Sequence, residues 1–326
     1  MSYPTQLLSH SFIYAGMATA ALIAGSLLGS GSKLFHLVLL LALLPFLGIL
    51  HGALDYDLAK RLFYGRFGRN WVTGFIASYL VIMAVVLIVW WIYPGASLAA
   101  FLAVTLYHFG TGDALTAPGF PRLIRTAEAI GRGGTVLAFP AVFDQQEVLV
   151  LLSLLASERD AQALIQVLAS LAPLCGICLA VTVLWSSIRY YRDRIPLDLA
   201  RIVELVAVGL TFAFLPALLA FTIYFNLLHS VRHMLQVAAA QIEGGATKVW
   251  GDLIRTAVPV TAVTFLMGGA AYLLFTGPAF NREQLFRVIF IGIASMTYPH
   301  MAVVWLARRA RIISAISVHM AAAARL

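Results

Sequence analysis

Apolar runs of about twenty residues recur along the chain, broken by short stretches that carry Gly, Pro, Arg or a carboxylate. A helix of that length crosses the ~30 Å hydrocarbon core of a bilayer and satisfies its own backbone polar groups there. The pattern predicts spans over residues 12–30, 34–54, 71–93, 97–113, 126–143 and 163–188. From residue 202 to 229 the chain is apolar for too long to make one crossing, so Pro216 marks the turn between a seventh span and an eighth over 217–240. Spans over 258–275 and 285–307 complete about ten, with eight to ten as the range. The fifth run holds Glu128, Arg132 and three glycines, which suits a bundle interior or a re-entrant segment better than a lipid-facing helix. Gly110 and Gly112, flanking Thr111, predict that the fourth helix ends or unwinds there.

Composition agrees with the pattern. Of 326 residues, 61% are hydrophobic and 11% charged, with a mean hydropathy of +0.91, values that exclude a soluble globular domain. The expected fold class is all-α: a polytopic integral membrane helical bundle, one domain over residues 1–326. The first run lacks a basic segment before it and reads as a retained span rather than a secretory signal. A formal charge of +8 invites a nucleic-acid reading, but the cations lie in short loops between apolar runs, where they set topology. Sixteen of the 22 Lys and Arg fall in segments assigned to the cytoplasm, including Arg201. Lys33, Arg159, Arg282 and Arg287 fall on the other side, and Arg132 and Arg232 within spans. Both termini are then cytoplasmic, in the cell membrane. Trp90, Trp91 and Tyr93 read as an interfacial belt, and the acidic stretch 144–160 as an external loop. Cys175 and Cys178, inside the sixth run, read as two small buried residues rather than a redox pair.

Histidine placement brings in chemistry. His229 and His233 are four apart in an apolar span, with Arg232 beside them, so their side chains share a helix face. Ionisable groups in such a segment are costly and mark function by default. His51, His108, His229, His233 and His300 all fall in the cytoplasmic halves of spans two, four, eight and ten. Histidines at one depth on several helices are what a metal site in a bundle core requires. Imidazoles suit Fe, Zn, Cu or Ni rather than Mg or Ca. Asp55 follows His51 by four residues and shares its face, either as a carboxylate supporting an imidazole or as a helix-end carboxylate at the interface, and Asp113 fits either a supporting role or a solvated loop. Pro299 invites a kink beside His300. His10, His36 and His319 read as bystanders. A bis-histidine haem protein in electron transfer and a proton-coupled membrane carrier remain as alternatives.

The ordered set His51-Gly-Ala-Leu-Asp55, Tyr107-His108-Phe109-Gly110, His229-x-x-Arg232-His233 and Pro299-His300-Met301 resembles the Brp/Blh family of β-carotene 15,15′-dioxygenases. The resemblance runs from the second helix to the last. It implies a membrane enzyme holding Fe(2+) that cleaves the central double bond of β-carotene with O2 to give two retinal molecules, the chromophore of a microbial rhodopsin. It implies His51, His108, His229 and His233 as iron ligands, His300 as a fifth site residue, and Asp55 as the supporting carboxylate, with Asp113 and Arg232 as further support. Carotene dissolves in the bilayer, so an apolar tunnel with lateral entry is expected. Tyr107, Phe109, Tyr224, Phe225 and Tyr298, within a turn or two of the histidines, are the candidates to line it. The expected partners are therefore lipid, β-carotene, O2 and a rhodopsin that accepts the retinal, with no nucleic acid.

Overall fold

A computed structural model describes residues 3–29, 31–115, 120–193, 199–239, 246–277, 279–310 and 312–313. Among them it is all-helical, without a strand. The helices are α1 (Tyr3–Leu28), α2 (Lys33–Leu43), α3 (Ile49–Ala53), α4 (Asp55–Phe67), α5 (Trp71–Ile92), α6 (Pro94–Asp113) and α7 (Arg122–Phe143). They continue with α8 (Gln145–Ser153), α9 (Glu158–Asp193), α10 (Leu199–Phe214), α11 (Ala217–Ile223), α12 (Val231–Ala239), α13 (Ala246–Thr276) and α14 (Arg282–Arg309). Two π-helical segments interrupt the regular winding, Leu44–Gly48 between α2 and α3 and Tyr224–Ser230 between α11 and α12. Among the described residues five helical stretches are long and apolar enough to cross a membrane, or six if α7 and α8, bent by 107° to each other, make one. Pro216 breaks the chain between α10 and α11, as the length of the apolar run requires.

Helix α7 occupies the interior, packed by α6, α9 and α10. Its glycines permit this. A Cβ on Gly133 would collide with the carbonyl of Leu106 on α6, and one on Gly134 with the Cys175 sulfur on α9. Gly110 answers from α6, facing the carbonyl of Ala129. This close crossing, rather than an unwound turn, is what Gly110 provides, and α6 continues as helix to Asp113. Other local expectations also change. The stretch after Asp144 is largely helical, as α8. Trp90 is buried with its indole N–H on the Leu155 carbonyl, leaving Trp91 and Tyr93 as the exposed pair.

Charge is buried in a connected network at the centre. Glu204 on α10 accepts from Arg132 at 2.5 Å, from the Ser11 hydroxyl at 2.6 Å and from Arg232. Glu128 pairs with Arg132 at 2.9 Å and with Arg201 at 3.7 Å, and takes the backbone N–H of Leu115 at 3.0 Å. Arg201, expected in a cytoplasmic loop, is 2% exposed and donates to the Leu115 carbonyl. Removing one partner of such a set typically costs about 3–5 kcal/mol, because an uncompensated charge remains behind. The network ties α1, α7, α10 and α12 to the chain leaving α6.

Candidate metal centre

His51 stands on α3, just past the first π segment. His229 lies within the second, and His233 on α12 directly after it. His108 comes from α6 and His300 from α14, and all five side chains are buried. The two π segments cross at Gly48, where a Cβ would come within 2.8 Å of the Phe225 ring and 2.9 Å of Asn226 Oδ1. The wider π winding adds a residue to the turn and so turns the following side chains. One consequence is that Ser230 reaches back five residues, donating to the Phe225 carbonyl at 2.7 Å.

The five imidazoles converge. His51 lies 5.5 Å from His229, 5.6 Å from His233 and 5.3 Å from His300 between ring centroids. His108 lies 4.6 Å from His229 and 5.0 Å from His300. Ligand atoms of His51, His108 and His300 fall within 4.8 Å of one another, as do those of Asp55, His233 and His300. The Nε2 atoms of His108 and His229 approach to 2.9 Å.

Hydrogen bonds on the outer nitrogens fix the ring orientation. His229 Nδ1 contacts Asp113 Oδ1 at 3.2 Å, and Asp113 also accepts from the Tyr224 hydroxyl at 2.5 Å. Arg232 holds the Asp113 carbonyl at 3.0 Å, and Gln236 the Gly112 carbonyl at 3.1 Å. His300 Nδ1 contacts both oxygens of Asp55, at 2.9 and 3.0 Å, and Tyr79 donates to the same carboxylate at 3.2 Å. Asp55 begins α4 and faces His300, not the His51 four residues before it. Ser230 Oγ sits 3.1 Å from His51 Nδ1. Its one proton goes to Phe225, so it accepts the His51 Nδ1–H. The carboxylates likewise accept Nδ1–H from His229 and His300, leaving the Nε2 lone pair of all three rings for the centre. Nε2 of His233 and of His300 is buried without a hydrogen-bond partner among the described residues. Unpartnered imidazole nitrogens in a buried histidine cluster are what a bound cation satisfies, so this donor set fits a transition-metal ion.

Aromatic side chains divide into two groups. Phe109 lies 4.6 Å from His229, and Phe225 5.6 Å from His51, both buried against the imidazoles. Tyr224 is committed to Asp113. Tyr107 and Tyr298 stand further out and line, with Ala103, Val104, Met301, Ala302 and Trp305, an open apolar groove of about 450 Å³ between α6 and α14. Each tyrosine is within two residues of a site histidine.

Sequence reasoning missed Ser230, Tyr79, Gln236 and Glu204. Glu204 carried a readable signal, a lone carboxylate in an apolar run; the others are polar residues of ordinary kind brought in by distant contacts. His10 and His36 are buried rather than peripheral, His10 on the Leu227 carbonyl at 2.8 Å. His319 lies outside the described residues.

Comparison with known proteins follows the same line. A sequence profile of β-carotene 15,15′-dioxygenase matches residues 10–307. The β-carotene 15,15′-dioxygenase of uncultured marine bacterium 66A03 is 26% identical over 269 residues, covering 81% of this chain and 91% of the relative. The probable β-carotene 15,15′-dioxygenase of Halobacterium salinarum is 26% identical over 287 residues, covering 80% of this chain and 81% of the relative. No solved structure matches. With nearly all of its length covered by one profile, the chain belongs to the β-carotene 15,15′-dioxygenase family, a family of carotenoid-cleaving enzymes.

Proposed function

We propose that the chain is an integral membrane dioxygenase that splits β-carotene at its central double bond with O2, using Fe(2+) held by His51, His108, His229 and His233. Both oxygen atoms of O2 end in the two aldehydes, giving two retinal molecules per carotene. The observation that carries this reading is the convergence of buried imidazoles, oriented from behind by carboxylates, next to an apolar groove on the bundle surface. When bound, ferrous iron supplies the redox chemistry that activates O2.

The protein's own residues do the rest. Asp113 and Ser230 keep the Nε2 atoms of His229 and His51 aimed inward. Phe109 and Phe225 cover the rings and exclude water. The groove between α6 and α14 admits the hydrocarbon sideways from the bilayer, past Tyr107 and Tyr298, toward His108 and His300. A carotene is a hydrocarbon of about bilayer-core length, so a membrane location and a lateral route follow from its solubility. The bias of the loop Lys and Arg residues supports a cell-membrane location with both termini cytoplasmic, and retinal released into the bilayer would be available to a rhodopsin. Bis-histidine haem is disfavoured here, because His108 and His229 approach too closely for a porphyrin to pass between them.

Expression in β-carotene-producing bacterial cells tests this. Retinal should appear with the wild type and with neither His229→Ala nor His233→Ala. Intact carotene in cells whose membranes contain the wild-type protein would overturn the substrate assignment.

A further inference from the structure

We infer that His300 is itself a metal ligand through Nε2, with Asp55 and Tyr79 as its positioning pair, an inference that rests on the metal-dependent reading above. Three observations carry it. First, His300 is central to the cluster: its ring lies 5.3 Å from those of His51 and His233 and 5.0 Å from that of His108. It is also the histidine shared by both sets of three groups whose ligand atoms lie within 4.8 Å of one another.

Second, its protonation pattern is set from outside. Both Asp55 oxygens face Nδ1, so that nitrogen carries the proton and Nε2 the lone pair. Nε2 is buried and, among the described residues, has no other partner.

Third, the support of His300 repeats that of His229. In each case a buried aspartate takes the Nδ1–H and a tyrosine hydroxyl donates to that aspartate: Asp113 with Tyr224 for His229, Asp55 with Tyr79 for His300. A carboxylate that accepts the outer N–H of an imidazole in this way orients the ring for ligation. A histidine that served only as a wall of the substrate groove would gain nothing from having its ring locked and its inward nitrogen stripped of hydrogen bonds. Pro299 contributes by denying Ser295 its helical partner, freeing α14 to bend at the histidine.

The test uses the full chain purified in detergent and loaded anaerobically with ferrous iron. Iron stoichiometry, affinity by chelator competition and the number of imidazoles at the iron by X-ray absorption are read for the wild type, His300→Ala, His300→Gly and Tyr79→Phe. The expected result is one iron per wild-type chain. His300→Ala should lose one imidazole and more than about tenfold in affinity, and added imidazole should restore the absorption spectrum of His300→Gly. Tyr79→Phe, which leaves every ligand in place, should weaken iron binding by about tenfold. Wild-type protein that binds iron, with a His300 variant of unchanged affinity and imidazole count, would overturn the assignment and leave the four-histidine reading standing. If the His300 variants do not fold, unchanged affinity in Tyr79→Phe would overturn it instead. A wild type that binds no iron would overturn both.

Discussion

At the scale of single residues, the site is a set of imidazoles whose direction is decided by what lies behind them. Asp113 shows how: one oxygen takes the His229 proton, the other accepts from Tyr224, and Arg232 grips the same residue's carbonyl. Asp113→Asn replaces one carboxylate oxygen by an amide NH2 that only donates and removes the negative charge, so the side chain can no longer accept from both partners. The expected outcome is a loss of about 10–100-fold in iron affinity with the helical fold retained, measured by chelator competition and circular dichroism. Affinity equal to the wild type would contradict the role given to Asp113. The histidines were legible because imidazoles are rare and costly within apolar runs. The partner of each was not: Asp55 stands four residues from His51 yet serves His300, 245 residues away. Local spacing describes one helix, whereas these contacts are made between helices.

Among the elements, the π segments decide where the chemistry sits. Each predicted apolar run lies mainly on helix among the described residues, but an apolar run does not distinguish five residues of π winding from five of α. His229 and His233 were expected on one regular helix face; instead a π segment ends between them. Gly48 is where the two π segments touch. Gly48→Ala places a methyl against Leu44, Phe225 and Asn226 at 2.6 to 2.9 Å, and overpacking of this kind costs about 1–3 kcal/mol. The variant should melt below the wild type in detergent and retain less iron; an unchanged melting temperature would show that the crossing has slack. The glycines of α6 and α7 were likewise visible in the sequence, and their meaning was not. Close approach of a backbone from another helix leaves no mark on the residues around Gly110.

For the molecule as a whole, a charged interior and an apolar exterior make the account coherent. Arg132, Arg201 and Arg232 are buried together with Glu128, Glu204 and Asp113, so each cation at the centre of the bundle has a buried carboxylate to match it. The all-helical class followed from composition, while the count of crossings did not, since short and bent pieces such as α7 with α8 blur it. The groove between α6 and α14 gives the whole-molecule prediction. Ala302→Trp places a large ring in it at a position that leaves all five histidines unchanged, so carotene cleavage in membranes should slow severalfold while iron content stays at the wild-type level. Unaltered cleavage would place the substrate route elsewhere.

Product analysis with purified, iron-stripped protein tests the proposed iron-dependent central cleavage. β-Carotene in detergent micelles under air is followed by chromatography before and after ferrous iron is restored. The expected result is no cleavage without iron and, with it, retinal as the sole aldehyde, two molecules for each carotene consumed. Cleavage that persists in rigorously iron-free protein, or products of unequal length, would contradict it.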